Sequence, residues 1–313
     1  MASRSDLAGK RVLVTGASGF TGRYVTSHLK AHGCHVIGLG GRRPGEAAWA
    51  SGLAPADEYR HADLRESAPL RHVLEECQPD FIVHLAALAF VAHGRAEDFY
   101  AVNLLGTRNL LQAVDDSGVV PQCVLIASSA NVYGNSSTDL LDENAPAAPA
   151  NDYAVSKLAM EHVAALWRPR LPMVTVRPFN YTGRGQAENF LIPKIVSHFL
   201  RREPRIELGN LDVARDFGDV RAVAEVYCRL LQAPAAIGRT VNVCSGTTHS
   251  LGDVIALCKE CTGHSLEVVV NPAYVRQNEV KTLRGDNRLM QQLIGDWSCP
   301  PLRATLDWML QVG

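Results

Sequence analysis

A tyrosine and a lysine stand four residues apart in "YAVSK" (Tyr153 to Lys157). On a helix, that spacing puts both side chains on one face. A free phenol ionises near pH ~10, and an ammonium group beside it stabilises the phenolate and lowers that value. Such a tyrosine can give a proton to an alkoxide forming at a carbonyl, or take one from an alcohol. Upstream, the apolar run "CVLIA" ends in "SSANVYG" (Ser128 to Gly134), where Ser129 can hydrogen-bond the same oxygen. A Y-x-x-x-K pair alone is a common accident of helices. With a serine at a strand end it describes carbonyl–alcohol redox chemistry, which needs a hydride carrier.

The carrier has a place to bind. "GASGFTG" (Gly16 to Gly22) directly follows the apolar run "RVLVT" and opens an amphipathic segment. Glycines there permit a tight turn and close backbone approach to a pyrophosphate, and the helix N-terminus presents free N–H groups. Gly16, Ser18, Gly19, Phe20, Thr21 and Gly22 are therefore the expected dinucleotide loop. The end of the second apolar run selects the dinucleotide. An acid there accepts from the ribose hydroxyls of NAD, whereas arginine suits the 2′-phosphate of NADP. The chain reads Gly40, Gly41, Arg42, Arg43, with no acid until Glu46, which favours NADP(H) over NAD(H). A slip in the alignment of this turn would leave both arginines as solvated loop charges. Asp63, in "HADL", follows the third strand and can hydrogen-bond the adenine edge. An oxidised nicotinamide would add its positive charge to that of Lys157 beside Tyr153.

These groups need a scaffold that brings residues 16, 129 and 153 together. The runs "RVLVTG", "HVIGLG", "FIVHLAA", "CVLIASS" and "PMVTVRP" read as strands buried on both faces. Segments between them, such as Glu97 to Ser117 and Tyr153 to Trp167, read as helices. Alternating strand and helix predicts an α/β fold with a doubly wound parallel sheet of the Rossmann type. Asn151 or Asp152 caps the helix that carries Tyr153. After Pro178, "FNYTGRGQAENF" reads as a loop and Ile192 to Arg202 as a helix. A helix from Asp219 to Gln232 and the strand "TVNVC" (Thr240 to Cys244) return to the sheet, and "LEVVV" (Leu266 to Val270) adds one more strand. The expected division is residues 1–178 plus 213–246 for the dinucleotide domain. Residues 179–212 plus 247–313 would form a smaller, discontinuous substrate lobe beside the carboxyl ends of the strands.

Bulk properties exclude several classes. The chain has 313 residues, 47% of them hydrophobic, enough for a sizeable core. A formal net charge of −1 gives no footprint for nucleic acid or an anionic membrane. The N-terminus lacks a signal-like apolar region, and the apolar-rich stretch 81–93 is too short to span a bilayer. The expectation is a soluble, cytoplasmic protein. Eight cysteines are scattered along the chain. Cys258 and Cys261 form a C-x-x-C, which could be redox-active or bind zinc. Leu251, Val254, Ile255, Cys258 and Cys261 follow helical spacing on one face, so they read as core, and no metal is expected.

"GASGFTG", "HADL", "HLAA", "SSANVYG" and "YAVSK", in that order, resemble the extended short-chain dehydrogenase/reductase family of nucleotide-sugar enzymes, over almost the whole chain. By that likeness Ser129, Tyr153 and Lys157 match the catalytic triad, and Lys157 also holds the nicotinamide ribose. Leu64, Leu85, Ala86, Ala87 and Pro178 would line the cofactor. "RPFNYTGRGQ", "LGNLDVARDFGDV", "NVCSG" and "RQNEVKTLRGD" are similar to the branch acting on GDP-mannose derivatives, and "VNLLGTRNLLQAV" with "DVARDF" lies nearer its 4-ketoreductases. The resemblance implies that Asn180, Arg215 and Arg276 contact the substrate pyrophosphate and Glu279 the ribose hydroxyls. It also implies that Lys194 reaches guanine, with Asn210 and Leu211 near the base. Read without the family, Arg215–Asp216 and Arg276–Glu279 are surface ion pairs. The family also implies a homodimer through a four-helix interface made by Glu97 to Ser117 and Tyr153 to Trp167. Two residues depart from the pattern: Thr21 stands where the loop usually carries an aliphatic side chain, and Asp152 replaces the common proline.

Dehydratase, epimerase and reductase share this scaffold. A 4,6-dehydratase must also move the C5 proton and expel the C6 hydroxyl, which needs an acid and a base. Dehydratases of this family carry a Glu at the Asn131 position and, in some branches, an Asp at the Ala130 position. Here neither side chain is acidic. Asn131 can still bond a sugar hydroxyl, or only shape the turn. The expectation is an NADPH-dependent 4-ketoreductase making GDP-D-rhamnose or its C4 epimer GDP-6-deoxytalose from GDP-4-keto-6-deoxymannose. A 4-epimerase with bound NAD, or a reductase of a GDP-4-keto-heptose, are the alternatives.

Overall fold

A computed structural model describes residues 6–40, 52–90, 95–136, 138–274 and 281–311. Arg42, Arg43, Arg276 and Glu279 lie outside the described residues.

Among the described residues thirteen strands run in chain order: β1 (Arg11–Thr15), β2 (His35–Gly40), β3 (Glu58–His61), β4 (Phe81–His84), β5 (Cys123–Ala127), β6 (Met173–Pro178), β7 (Asn180–Thr182), β8 (Arg205–Leu208), β9 (Ala214–Asp219), β10 (Thr240–Val243), β11 (Thr248–Ser250), β12 (Glu267–Val270) and β13 (Thr282–Leu283). Seven of them form one parallel sheet in the order β10-β6-β5-β4-β1-β2-β3. Period-two alternation explains its stability. Val12, Val14, Phe81, Val83, Leu125 and Val174 pack into one core. Leu13, Ile82, Val124, Ile126 and Met173, their strand neighbours, pack into the core on the other face. Both faces are covered by helices, which is why these strands read as continuous apolar runs.

Strand order reverses between β1 and β4, and in such sheets ligands bind at the carboxyl ends beside that switch. The glycine loop follows β1, residues 85–87 follow β4, and Ser129 follows β5.

Beyond Pro178 the segment read as a loop contains the short strand β7, which pairs in parallel with β9. β9 also pairs with β11 and β13, giving a second small sheet, and β8 pairs with β12. The sequence division places β9 with the dinucleotide domain, but its hydrogen bonds run to β7, β11 and β13. The following helix, Val220–Leu231, is capped by Asp219 and leads back through β10 to the main sheet. Cys258 lies fully buried in the third core with Leu251 and Val254, as helical spacing predicts, whereas Cys261, read with it as core, is only half-buried; both are free thiols. No helix among the described residues is long and apolar enough to cross a membrane.

Candidate active site

The catalytic candidates come from the turn after β5 and from the first two turns of one helix. Ser129 lies two residues past β5 and caps a single 3-10 turn, Ala130–Tyr133, its hydroxyl accepting the Asn131 N–H at 3.2 Å. Asn151 caps the helix Asp152–Ala165 by accepting the Ala154 N–H at 2.9 Å, which leaves Asp152 free to accept the Tyr100 hydroxyl at 2.8 Å. The helix then presents Tyr153 and Lys157 on one face. All three catalytic candidates are buried. The Ser129 hydroxyl lies beside Tyr153. Lys157 Nζ donates to the Ala127 carbonyl at 2.8 Å and so ties the helix to the strand end two residues before Ser129.

The electrostatics differ from the sequence expectation in one respect. A neighbouring ammonium should lower the tyrosine. In the protein itself burial prevails, pushing Tyr153 up to about 12 against the opposing influence of the nearby Ser129 hydroxyl. Burial also lowers Lys157 to about 8, against the attraction of Glu161 one turn further along. Tyr153 is therefore a neutral acid ready to donate a proton, not a standing phenolate.

The dinucleotide loop has the shape that a pyrophosphate on its backbone requires. Gly16 has φ of +69°, and a Cβ there would lie 2.9 Å from the Ala86 Cα and N. A Cβ on Gly22 would lie 2.1 Å from the Gly16 carbonyl oxygen. Gly19 caps the helix Phe20–Ala31 without a side chain, so the first-turn N–H groups face the loop. This geometry suits a pyrophosphate laid on bare backbone. Ser18, Phe20 and Thr21 are half-buried around it. The Leu85 and Ala86 N–H groups, beside the loop, donate to Thr15 Oγ1 at 3.2 and 3.1 Å, and Ala87 follows them. Pro178 closes β6 nearby. Asp63 accepts from the Arg65 side chain and backbone, which pulls it down to about 2. The Leu64 carbonyl accepts from Asn109 at 3.0 Å.

A buried polar chain missed in the sequence connects the loop to the catalytic helix. His84 bridges Thr15 at 2.7 Å and Thr107 at 2.8 Å. Thr107 donates to the Asn103 carbonyl at 2.7 Å, so it must accept from His84 Nε2–H. Nδ1 then accepts from Thr15, whose lone pairs take Leu85 and Ala86. The imidazole is neutral, and burial drives its pKa down to about 3. Asn103 accepts from Leu88 N–H at 2.8 Å and donates to Ser156 Oγ at 3.0 Å. Ser156 donates to the Tyr153 carbonyl at 2.7 Å. The helix over 96–116 is π-helical across Tyr100–Leu105, which is what turns Asn103 fully inward. A polar residue ending the apolar run "FIVH" was the available signal.

A second buried network backs the serine turn. Arg177, a charge inside β6, grips Glu161 with two nitrogens at 2.9 and 2.7 Å, and Ser128 donates to the same carboxylate. Arg177 also donates to the Tyr133 hydroxyl at 3.0 Å, which donates to Asn242 at 2.7 Å.

The expected substrate residues are spread over the small sheets. Asn180 is exposed on β7, opposite Phe217 of β9, and Arg215 stands two positions earlier on β9. Arg215 Nη1 donates to the Ala214 and Lys281 carbonyls at 2.9 and 3.1 Å. Asp216 is not a surface charge: it is fully buried and accepts from Ser245 and Gly246. Lys194 donates to the Glu207 carbonyl at 2.8 Å and lies over the Tyr274 ring at 4.7 Å. Asn210 and Leu211 are half-buried between β8 and β9, and Asn131 is half-buried in the serine turn.

A phosphate loop at the switch point, with a buried Ser–Tyr–Lys set across the strand ends, defines an extended short-chain dehydrogenase/reductase. Its cofactor is a nicotinamide dinucleotide. The chain belongs to the GDP-mannose 4,6 dehydratase family, whose sequence profile matches residues 13–299. It is 37% identical over 300 residues to the GDP-6-deoxy-D-talose 4-dehydrogenase of Aggregatibacter actinomycetemcomitans, covering 96% of each chain. It is 34% identical to the GDP-6-deoxy-D-mannose reductase of Pseudomonas aeruginosa, covering 97% of this chain and 98% of that one. A crystal structure from Burkholderia cenocepacia, provisionally described as an epimerase, superposes with a TM-score of 0.89 at 46% identity over 97% of each chain. RMD from Pseudomonas aeruginosa, solved with NADPH, superposes with a TM-score of 0.82 at 30% identity over 96% of this chain and 98% of that one. The chain is a nucleotide-sugar oxidoreductase.

Proposed function

We propose that the protein is an NADPH-dependent 4-ketoreductase of a GDP-4-keto-6-deoxyhexose. The carrying observation is the complete, buried Ser129–Tyr153–Lys157 set beside a turn whose next two side chains, Ala130 and Asn131, are not acids. The buried acid nearest in sequence to Lys157, Glu161, is committed to Arg177 and Ser128. Two relatives along the whole chain are described as acting on GDP-6-deoxyhexoses at the 4-position or as a reductase of one.

The chemistry supplied by a bound nicotinamide is hydride transfer to C4. Tyr153 protonates the alkoxide that develops there, and Ser129 donates a hydrogen bond to the same oxygen. Lys157 holds positive charge behind Tyr153 and would bond the nicotinamide ribose. Arg42 and Arg43, in place of an acid after β2, support NADPH, as does the NADPH-bound structural relative. Asn180, Arg215 and Arg276 would hold the substrate pyrophosphate, Glu279 the ribose, and Lys194 the base, since guanidinium forks match phosphate and a carboxylate matches paired hydroxyls. The small lobe then gathers 179–219 and the segment after β10, because β9 pairs with β7. Exposed Leu105 and Val155 on the helices flanking the site support a homodimer through a four-helix interface. Light scattering at micromolar protein would read a monomer if that assignment fails.

The test is purified protein with GDP-4-keto-6-deoxymannose and NADPH or NADH, followed at the nicotinamide absorbance. Oxidation of NADPH with a GDP-6-deoxyhexose product is expected. No oxidation with either cofactor removes the reductase reading. Interconversion of two nucleotide sugars without added cofactor would establish a 4-epimerase instead.

A further inference from the structure

Thr21, the residue that departs from the aliphatic pattern of the glycine loop, has a specific partner. Its hydroxyl and that of Tyr181 share a 2.7 Å hydrogen bond, across 160 residues of sequence. The preceding Phe20 lies nearly parallel to the same ring, centroids 6.1 Å apart and planes 13° apart. Thr21 is not needed as a cap, because Gly19 holds that position. Tyr181 sits between two residues with other tasks. Asn180 precedes it on β7, and β9, paired to it through Tyr181↔Gly218, carries Arg215 three residues earlier than Gly218. The loop after β7 is also fastened to the same helix, through Arg23 to the Gly185 carbonyl and Tyr24 to the Arg184 carbonyl, both at 2.7 Å. Those two bonds reach backbone further from Asn180. The Thr21–Tyr181 bond alone among these three joins side chains, and it sits at the junction of the two sites.

We propose that the Thr21–Tyr181 hydrogen bond is a positioning device coupling the two ligands, so that a dinucleotide pyrophosphate seated on the glycine loop orders the β7–β9 pair for the GDP pyrophosphate. Thr21 and Tyr181 act here as positioning residues, through Asn180 and Arg215. The inference rests on the reading of those two residues as substrate ligands. Coupling of this kind is reciprocal: each ligand tightens the other by the same factor.

The experiment is calorimetric titration of GDP into wild type, Thr21→Val, Tyr181→Phe and the double variant, each with and without NADPH. Thr21→Val keeps the branched shape and Tyr181→Phe keeps the ring, so each removes one hydroxyl from one side of the bond. Wild type is expected to bind GDP about fivefold or more tighter with NADPH present, at the low end of usual coupling. Each single variant should bring that ratio below about twofold, and the double should lower it no further, because both changes remove one interaction. A ratio that survives either single variant, singles whose effects add, or a wild-type ratio near one each overturns the coupling. Failure of wild type to bind GDP at all instead removes the substrate reading beneath it.

Discussion

At the scale of the residue, the site separates proton donor from charge holder. Tyr153, at about 12, stays protonated across the working range, while Lys157 releases its proton near pH 8. Tyr153→Phe removes the donated proton but leaves ring and packing. We expect kcat to fall by a factor of about 100 to 10,000 with NADPH affinity retained, as kcat and a fluorescence titration would read. A near-wild-type rate would show that another group is the acid. Lys157 gives a pH prediction. Its folded pKa lies below that of free lysine, so its positive charge is near complete at neutrality, half gone at about 8 and lost above it. The reductive kcat should hold level near neutrality and decline through about pH 8. A profile that stays level to pH 10 would separate the rate from Lys157.

Elements set these side chains by how they end and where they bend. The turn from β1 to its helix works because two glycines clear space for backbone. Gly22→Ala would drive a methyl group into the Gly16 carbonyl, 2.1 Å away, with no side chain able to yield. We expect the dinucleotide affinity to drop by at least ~100-fold, with a lower melting temperature, since backbone must move in the loop that receives the ligand. Retained affinity would show that the loop opens without loss. The catalytic helix is held from behind by Glu161 and Arg177, both almost fully buried. Glu161→Gln leaves a buried guanidinium poorly compensated. Breaking one side of such a pair costs about 3–5 kcal/mol, which a denaturant titration measures. A change under 1 kcal/mol would mean that solvent or Tyr133 takes up the charge.

Across the whole molecule, the two halves of the sheet meet at His84. It bridges the strand ends β1 and β4 and the helix 96–116 while buried and neutral. The unfolded chain's histidine takes up a proton below about pH 6.5, but in the folded protein His84 resists until about 3. Between those values the unfolded state binds more protons, so stability falls as pH falls. We expect the unfolding midpoint to decline progressively from pH 6.5 towards 4, and His84→Gln, which does not titrate there, to flatten part of that slope. An equal slope in both proteins would place the acid sensitivity in the carboxylates.

Much of this protein was determined by sequence. Apolar runs separated by helical segments required a parallel doubly wound sheet, because only strands buried on both faces lack alternation. A glycine turn after the first strand and Tyr153 four residues before Lys157 named the chemistry, since each motif is local and its geometry is fixed by one element. Long-range partners were decided by the tertiary structure alone. No pattern in "FNYTGRGQ" announces that Tyr181 will meet Thr21, or that β9 leaves the main sheet for β7. The inward turn of Asn103 depends on a π-helical segment that hydrophobic spacing does not reveal, and the neutral state of His84 on two threonines from distant elements. Local spacing fixes which side chains share a face. Which buried polar group finds which partner is settled only when the elements close around them, because burial is what makes an unpartnered polar group costly.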